Sequence, residues 1–207
     1  MEDRPLAFDA IILAGGRSSR LNPETNEHSI KVDKATLKIA GVTLLESTLS
    51  AVANATQIVV VGPDDLQVPR DVRLTREDPP LGGPAAGILA GLRALEQVDR
   101  AEATVILACD MPNIAPAVPR LLEALASSPE SDGVVAIDSS GRRQHLVVAV
   151  RSDKLARQAK GLGGADGLSA RQFFGGLILQ ELVLSQEESR DIDTWQDARS
   201  FGVKDFR

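Results

Sequence analysis

The sequence predicts an α/β fold built on a mainly parallel β-sheet. Short β-branched runs recur along the chain, and longer segments of helical period separate them. Such alternation is typical of strands that are joined by helical crossovers within one parallel sheet. We place the strands at residues 10–13, 57–61, 104–108, 133–137 and 146–150.

Three helices are expected between these strands. Thr43 and Glu46 have the spacing of a capping box, so a helix begins after Thr43. A second helix begins at Pro84, with Gly83 as its N-cap, because Ile88, Leu92 and Leu95 then share one face. Asn113 is the expected cap of a third helix. The polar stretch of residues 22–29 is expected to be a loop.

Size and composition favour one domain of residues 1–207, since a chain of 207 residues with 43% hydrophobic residues buries a sizeable core. The formal net charge of −6 argues against a partner that is nucleic acid, because wrapping a polyphosphate needs a basic face. A lone cysteine, Cys109, indicates no internal disulfide, so we expect a cytoplasmic protein. The apolar run that ends at Leu13 is too short to span a membrane.

The first strand runs directly into a glycine turn that is suited to a phosphate. Gly15 and Gly16 let backbone N–H groups approach an anion, and Arg17 and Arg20 add positive charge. An ordinary strand-to-helix turn explains the glycine pair about equally well. Lys34 follows this turn in the chain and is placed to reach back to a bound triphosphate, although most lysines simply face solvent.

Asp110 and Asp193 are the candidate metal ligands. Asp110 ends an apolar run and precedes Pro112, so it lies at the carboxyl end of a strand, where α/β sheets bind ligands. Mg²⁺ prefers one or two carboxylates together with substrate phosphate oxygens. Asp191 and Asp193 alternate with an apolar residue, which predicts a short strand with both carboxylates on one side. The alternatives are a turn-capping Asp110 and, at Asp193, a solvated acidic edge followed by an Asp/Thr helix cap.

A second glycine turn and a few further residues complete the candidates. Glu77 and Asp78 precede Gly83, where a helix N-terminus favours an anion or a sugar hydroxyl. His28 and His145 have no Cys/His/Glu constellation beside them, so a zinc site is not expected, and a satisfied polar role for His145 is favoured over a substrate contact. Cys109 is interpreted as a buried small hydrophobe. The glycine-rich residues 161–167 follow no strand and are expected to form a loop on the acceptor side.

Five motifs in order resemble the molybdenum cofactor guanylyltransferases over nearly the whole chain. They are Leu-Ala-Gly-Gly from Leu13, Asp-Lys-Ala from Asp33, Glu-Asp with Gly-Gly-Pro from Glu77, Cys-Asp-Met-Pro from Cys109 and Asp-Ile-Asp-Thr from Asp191. The resemblance implies a Rossmann-like, three-layer α/β/α nucleotidyltransferase fold, with GTP and molybdopterin as substrates and Mg²⁺ as cofactor. It also implies transient contact with cofactor-synthesis proteins or molybdoenzymes.

The resemblance also implies roles for individual residues. The nucleotide-binding set is Leu13, Ala14, Gly15, Gly16, Arg17, Lys34, Gly62, Asp78 and Gly83. Within it, residues 13–15 hold the guanine nucleotide, Lys34 contacts its phosphates and Asp78 its nucleoside. Lys34, Arg20 and Asp110 form the catalytic set, Asp110 binds Mg²⁺, and Asp193 falls near the metal.

The choice of base rests on Gly15, since guanine-using members look like Leu-Ala-Gly-Gly and related cytidine-using enzymes carry Leu-Ala-Ala-Gly. This chain has Gly62 where guanylyltransferases often have Asn, and residues 22–32 are inserted before Asp33, so Lys31 competes with Lys34 for the phosphate role. A cytidylyltransferase or an enzyme acting on a sugar phosphate is the nearest alternative. A catalytically decayed nucleotide-binding subunit is the alternative from another class.

Overall fold

The computed structural model describes residues 6–16, 21, 33–95 and 100–203. The helices are α1 Leu44–Ala51, α2 Pro84–Leu95, α3 Ala117–Ala126, α4 Ser152–Gly161, α5 Ala170–Phe173 and α6 Trp195–Ser200, and a 3₁₀ helix spans Lys34–Thr36. The strands are β1 Phe8–Leu13, β2 Lys38–Ile39, β3 Val42–Thr43, β4 Ile58–Val61, β5 Arg73–Thr75, β6 Ala103–Ala108, β7 Gly133–Ile137, β8 Arg143–Arg151 and β9 Leu179–Val183.

In this part of the chain one seven-stranded sheet carries the fold, in the order β5-β4-β1-β6-β8-β7-β9. The pairs β1–β4, β1–β6, β4–β5 and β7–β9 are parallel, whereas β8 runs antiparallel to both of its neighbours. The five strands expected from the sequence all belong to it. The prediction of a mainly parallel α/β sheet is therefore confirmed.

Helices cover both faces of this sheet and make three layers. Alternate residues of β1 face opposite ways: Ala10 and Ile12 join a core with α1 and α3, whereas Ile11 and Leu13 join a core with α2, α4 and α5. All four side chains are less than a tenth exposed. Burial on both faces explains why β1 is apolar without alternation from Ala10 to Leu13.

Two of the three expected helix starts are confirmed. Thr43 and Glu46 form the capping box of α1, and α2 begins at Pro84 after Gly83, whose φ of 93° is a conformation that glycine adopts without strain. Asn113 as a helix cap was wrong, because α3 begins at Ala117. The intervening residues form successive turns, and the Asn113 side chain instead donates to the carbonyl of Glu187.

Close packing of α2 on β1 depends on Gly91. A Cβ at this position would lie 2.5 Å from Cγ2 of Ile11, a branched side chain that is fully buried in the central strand. We expect Gly91→Ala to lower the free energy of unfolding by roughly 1–3 kcal/mol, because overpacking outweighs the gain in helix propensity. Gly161→Ala is the matched control, since a Cβ at Gly161 meets open space. Urea denaturation of both variants measures the difference, and equal stability would contradict this packing.

None of the helices in the described ranges combines the length and the apolarity needed to cross a membrane.

Candidate active site at the carboxyl edge of the sheet

The parallel register of β1 and β6 brings two sequence motifs to one edge of the sheet. Leu13 pairs with Ala108, so the glycine turn after β1 and Asp110 after β6 leave the sheet side by side. The amide of Cys109 donates to the carbonyl of Leu13 at 3.2 Å, which ties the two exits together. Carboxyl ends of parallel strands are where open α/β sheets bind their ligands.

A cleft of about 450 Å³ opens at this edge, and we call it the edge cleft. Many of the predicted site residues line it, namely Leu13, Ala14, Gly15, Gly16, Lys34, Gly83, Asp110 and Asp193. These residues are far apart in sequence, and the fold brings them together. The lining also includes residues outside the predicted site sets, namely Leu21, Asp33, Val61, Glu77, Leu81, Pro84, Gly87, Ala108, Cys109 and Leu146.

Lys34 lies between the two predicted metal ligands. Its Nζ donates to Oδ2 of Asp110 at 3.1 Å and to Oδ1 of Asp193 at 2.8 Å. The 3₁₀ helix that carries Lys34 is capped by Asp33, whose Oδ1 accepts from the amide of Ala35 at 3.0 Å. Burial disfavours the ammonium, but the two carboxylates outweigh that effect and raise the pKa of Lys34 above its ordinary value. Lys34 therefore stays charged at neutral pH.

Asp110 also has an oxygen that fits a cation. Its Oδ1 is buried and has no hydrogen-bond partner among the described residues. A buried carboxylate oxygen without a donor is costly unless a ligand satisfies it. No group of three or more His, Cys, Asp and Glu side chains in the described ranges is arranged to hold a metal ion. The donors present therefore fit a hard cation that takes one or two carboxylates from the protein and the rest of its oxygens from a substrate.

The segment that carries Asp193 is not a strand, so that prediction was wrong. Instead of the repeated hydrogen bonds of a strand pair, the amide of Ile192 donates one hydrogen bond to the carbonyl of Asp110 at 3.0 Å. The Ile192 side chain is fully buried. The negative charges of Asp191, Asp193 and Asp110 nevertheless lie close enough to act on one another. Burial raises the pKa of Asp191, and the nearby charges of Asp193 and Asp110 raise it further. Thr194 then caps α6, the helix start that the alternative interpretation expected.

Two predicted nucleotide-binding residues lie outside the lining of the edge cleft. Gly62 packs behind the glycine turn, where a Cβ would lie 3.5 Å from the Cβ of Ala14. Asp78 lines a neighbouring groove beside α2, whereas Glu77 faces the edge cleft and accepts from the amide of Leu81 at 3.0 Å. The sequence marked the acidic pair but gave no sign of which member faces inward. A nucleoside contact by Asp78 stays a prediction.

Several predictions fall outside the described residues. They concern Arg17, Arg20, His28, Lys31 and the loop at residues 22–29. Leu21, which adjoins Arg20 in the chain, is described: it is 2% exposed, and its carbonyl accepts from the indole of Trp195 at 2.8 Å. The C-terminal helix α6 is thereby fixed to the segment that follows the glycine turn.

Cys109 is buried beside the site and is unsuited to covalent chemistry. Burial raises the pKa of its thiol, and the negative charges of Asp110 and Asp33 raise it further. A thiol is nucleophilic only as a thiolate. The interpretation of Cys109 as a small hydrophobe agrees with its burial.

Comparisons with known proteins match both the sequence and the fold. A molybdenum cofactor guanylyltransferase from Serratia proteamaculans (strain 568) is 31% identical over 160 residues, which cover 72% of this chain and 70% of that protein. The 2-C-methyl-D-erythritol 4-phosphate cytidylyltransferase from Thermus thermophilus superposes with a TM-score of 0.61 at 18% identity, over 96% of this chain and 97% of its own.

A manganese complex of Rv0371c from Mycobacterium tuberculosis H37Rv superposes with a TM-score of 0.60 at 23% identity, over 94% of this chain and 97% of its own. The sheet order, the three layers and these neighbours identify the Rossmann-like nucleotidyltransferase fold. Residues 10–180 match the family described as the MobA-like NTP transferase domain. The chain therefore belongs to the MobA-like NTP transferase family of nucleotidyltransferases.

Proposed function

We propose that this protein transfers GMP from GTP to molybdopterin and releases pyrophosphate, through one domain. The observation that carries the proposal is the edge cleft, in which a glycine turn faces a lysine that is paired with two aspartates. The similarity to a guanylyltransferase at 31% identity supports GTP and molybdopterin as the two small-molecule substrates. The cytidylyltransferase fold neighbour keeps a pyrimidine nucleotide as the alternative.

In this proposal the glycine turn binds the nucleotide. Residues 13–15 hold the guanine nucleoside, and the Gly16 amide faces the phosphates without an obstructing Cβ. The amino-terminal end of α2 at Gly83 lines the same cleft and adds the positive end of a helix dipole. Arg17 and Arg20 add charge to the triphosphate side, and Gly62 and Asp78 support the turn and the nucleoside.

Asp110 and Asp193 are the residues that would hold Mg²⁺. Their side chains are 25% and 39% exposed, so both are accessible from the cleft. The manganese bound by the Mycobacterium tuberculosis neighbour supports a divalent cation. When bound, the ion would neutralise the negative charge that develops on the phosphate oxygens during the reaction.

The reaction needs no protein nucleophile. A phosphate monoester has its second pKa near ~6, so the acceptor phosphate is already mostly dianionic at neutral pH and needs no strong base. One of its oxygens attacks the α-phosphorus of GTP, the bond to the bridging oxygen breaks, and pyrophosphate leaves with the electron pair. Lys34 stabilises the charge that develops, and the glycine turn fixes the orientation.

We expect Gly15→Ala to shift the base preference. A Cβ at Gly15 would lie 3.8 Å from Cα of Gly62 and 3.9 Å from Glu77, so the variant folds without a clash but its methyl group narrows the turn. The narrower turn should weaken binding of the larger purine base more than binding of a pyrimidine. We therefore expect kcat/KM for GTP to fall by roughly tenfold relative to that for CTP. Parallel kinetics with both nucleotides measure the ratio. An unchanged ratio would remove Gly15 from base selection.

Nucleotide competition tests the proposed function directly. The purified chain is mixed with molybdopterin, Mg²⁺ and one of GTP, CTP, ATP or UTP, and pyrophosphate release and the dinucleotide product are measured. We expect product from GTP alone. Product from CTP would establish the cytidylyltransferase alternative. A rise in melting temperature with GTP but no product with any nucleotide would indicate a decayed nucleotide-binding subunit.

A further inference from the structure

The hairpin between β7 and β8 extends past the carboxyl end of β6. Pairing between β6 and β8 ends at Leu107 and Val147, so residues 143–146 of β8 continue beyond β6 toward the edge that carries Asp110. Leu146 lines the edge cleft. Residues 143–145 of β8 therefore lie next to the edge cleft, on the flank of β6 that is opposite β1.

A second cavity lies beside this hairpin, and we call it the arginine pocket after Arg142, Arg143 and Arg171, which line it together with His145. Its volume is about 750 Å³. Arg171 belongs to α5, which packs against both α2 and β8. Residues distant in sequence thus converge on one cavity beside the edge cleft.

The floor of the arginine pocket is apolar. Leu177 and Leu179 are half-buried and provide its accessible apolar surface, and behind them Phe174 is only 2% exposed and packs edge-on against Phe173. Guanidinium groups stack on conjugated rings and bind carboxylate and phosphate groups through paired N–H donors. The pocket therefore suits a ligand that combines a ring with an anionic group.

The positive charge of this pocket is largely uncompensated. Only Arg143, of its three arginines, has an ion-pair partner in the described ranges, namely Glu181 at 2.8 Å. The guanidinium groups of Arg142 and Arg171 are exposed, with no hydrogen bond or ion pair to any described residue. Two arginines without an ion pair to any described residue thus share one cavity in a chain whose net charge is −6. Clefts lined by one sign of charge attract ligands of the other.

The pKa of His145 reflects the positive charge of the arginine pocket. Burial lowers the pKa of its imidazole, and the charges of Arg143, Arg171 and Arg142 lower it further. An anion bound among the arginines would reverse their effect and favour the imidazolium. The pKa of His145 should therefore rise when an anion binds in the arginine pocket.

We propose that the arginine pocket binds the anionic, ring-bearing acceptor substrate and so holds it beside the nucleotide cleft. The proposal rests on the proposed function, in which that acceptor is a pterin compound with a phosphate group. The ring would lie on the apolar floor, distant from the reacting phosphorus, and its binding energy would orient the phosphate group that the arginines hold for attack.

Direct binding is measured by NMR titration of His145 in the full-length His28→Gln chain, which leaves a single histidine. The probes are inorganic phosphate and pterin-6-carboxylate, an anionic pterin. We expect both to raise the pKa of His145, and the pterin to bind at least tenfold more tightly because its ring covers the apolar floor. Arg142→Gln/Arg171→Gln should abolish both effects. A pKa that neither probe moves, or phosphate binding as tightly as the pterin, would overturn the proposal.

Kinetics then separate the two substrates. Arg142→Gln/Arg171→Gln should raise KM for molybdopterin at least tenfold and leave KM for GTP within twofold. Arg157→Gln, on α4 and paired only with the neighbouring Asp153 among the described residues, is the matched control and should change neither. An unchanged acceptor KM would overturn the pocket's role. If wild-type protein transfers nothing to molybdopterin, the proposed function fails, and the pterin titration of His145 still decides the pocket.

Discussion

Asp110→Asn is expected to lower nucleotidyl transfer by at least roughly a thousandfold, equivalent to about 4 kcal/mol of transition-state stabilisation. Asparagine keeps the size of the side chain but removes the charge that pairs with Lys34 at 3.1 Å and that would bind Mg²⁺. The fold should persist, because Lys34 keeps its ion pair with Asp193 at 2.8 Å and its charge is not left uncompensated. Steady-state turnover and thermal melting measure the two effects.

Asp64→Asn is the matched control for this experiment. Asp64 pairs with Arg76 at 3.0 Å on the surface, and its side chain is 79% exposed. An exposed ion pair contributes little to stability, so this variant should match the wild type in both turnover and melting temperature. Asp110→Asn with turnover within tenfold of wild type would show that the carboxylate at the end of β6 does not carry the reaction.

Lys34→Met is expected to lower turnover by roughly a hundred- to a thousandfold, since it removes the only described lysine in the edge cleft. Methionine keeps most of the apolar stem but no charge. Asp110, Asp191 and Asp193 would then face one another without the ammonium that lies between them. We therefore expect the variant to be less stable than the wild type at neutral pH, as well as less active.

The pH dependence of that stability loss has a definite sign. Burial and the neighbouring carboxylates already raise the pKa of Asp191, and the Lys34 charge opposes this rise. Without Lys34 the pKa of Asp191 rises further. Carboxylates with raised folded-state pKa values destabilise the protein above those values, and the penalty disappears as the pH falls through them. The difference in melting temperature from wild type should thus shrink as the pH falls from neutral toward the ordinary carboxyl pKa of about 4.

Lys154→Met is the control for Lys34→Met. Lys154 pairs with Asp132 at 2.8 Å outside the cleft, and its side chain is 40% exposed. Asp132 keeps its bond from the amide of Ile178, so this variant should retain full turnover. If Lys34→Met were as active as the wild type, another residue such as Lys31 would have to contact the phosphates of the nucleotide.

The central strands could be predicted from the sequence because they are buried on both faces and read as apolar runs. The edge strands β5 and β9 could not be predicted. Of the β9 residues, Gln180, Glu181 and Val183 are exposed, and neither a continuous apolar run nor a regular alternation marks this strand. The start of α3 was misplaced at Asn113 for a different reason, since a capping residue is also a turn residue. Only the surrounding contacts decide between these two uses.

Within the site, local chemistry indicated the participants but not their mutual geometry. Asp110 followed from a strand that ends at a carboxylate, and Lys34 from its place after the glycine turn. That Lys34 Nζ contacts both Asp110 and Asp193 depends on pairs separated by 76 and 159 residues. The inward position of Glu77 rather than Asp78 likewise depends on how this turn packs.

The sequence by itself determined the class of fold, the glycine turn, the strand-end carboxylate and the family resemblance, because each is written in a short run of neighbouring residues. Only the tertiary structure decided that Lys34 lies between two aspartates, and that Arg142 and Arg171 share a pocket beside the cleft. The physical reason is that strand register and helix packing set distances between remote residues. Those distances fix which charges interact, and local patterns carry no record of them.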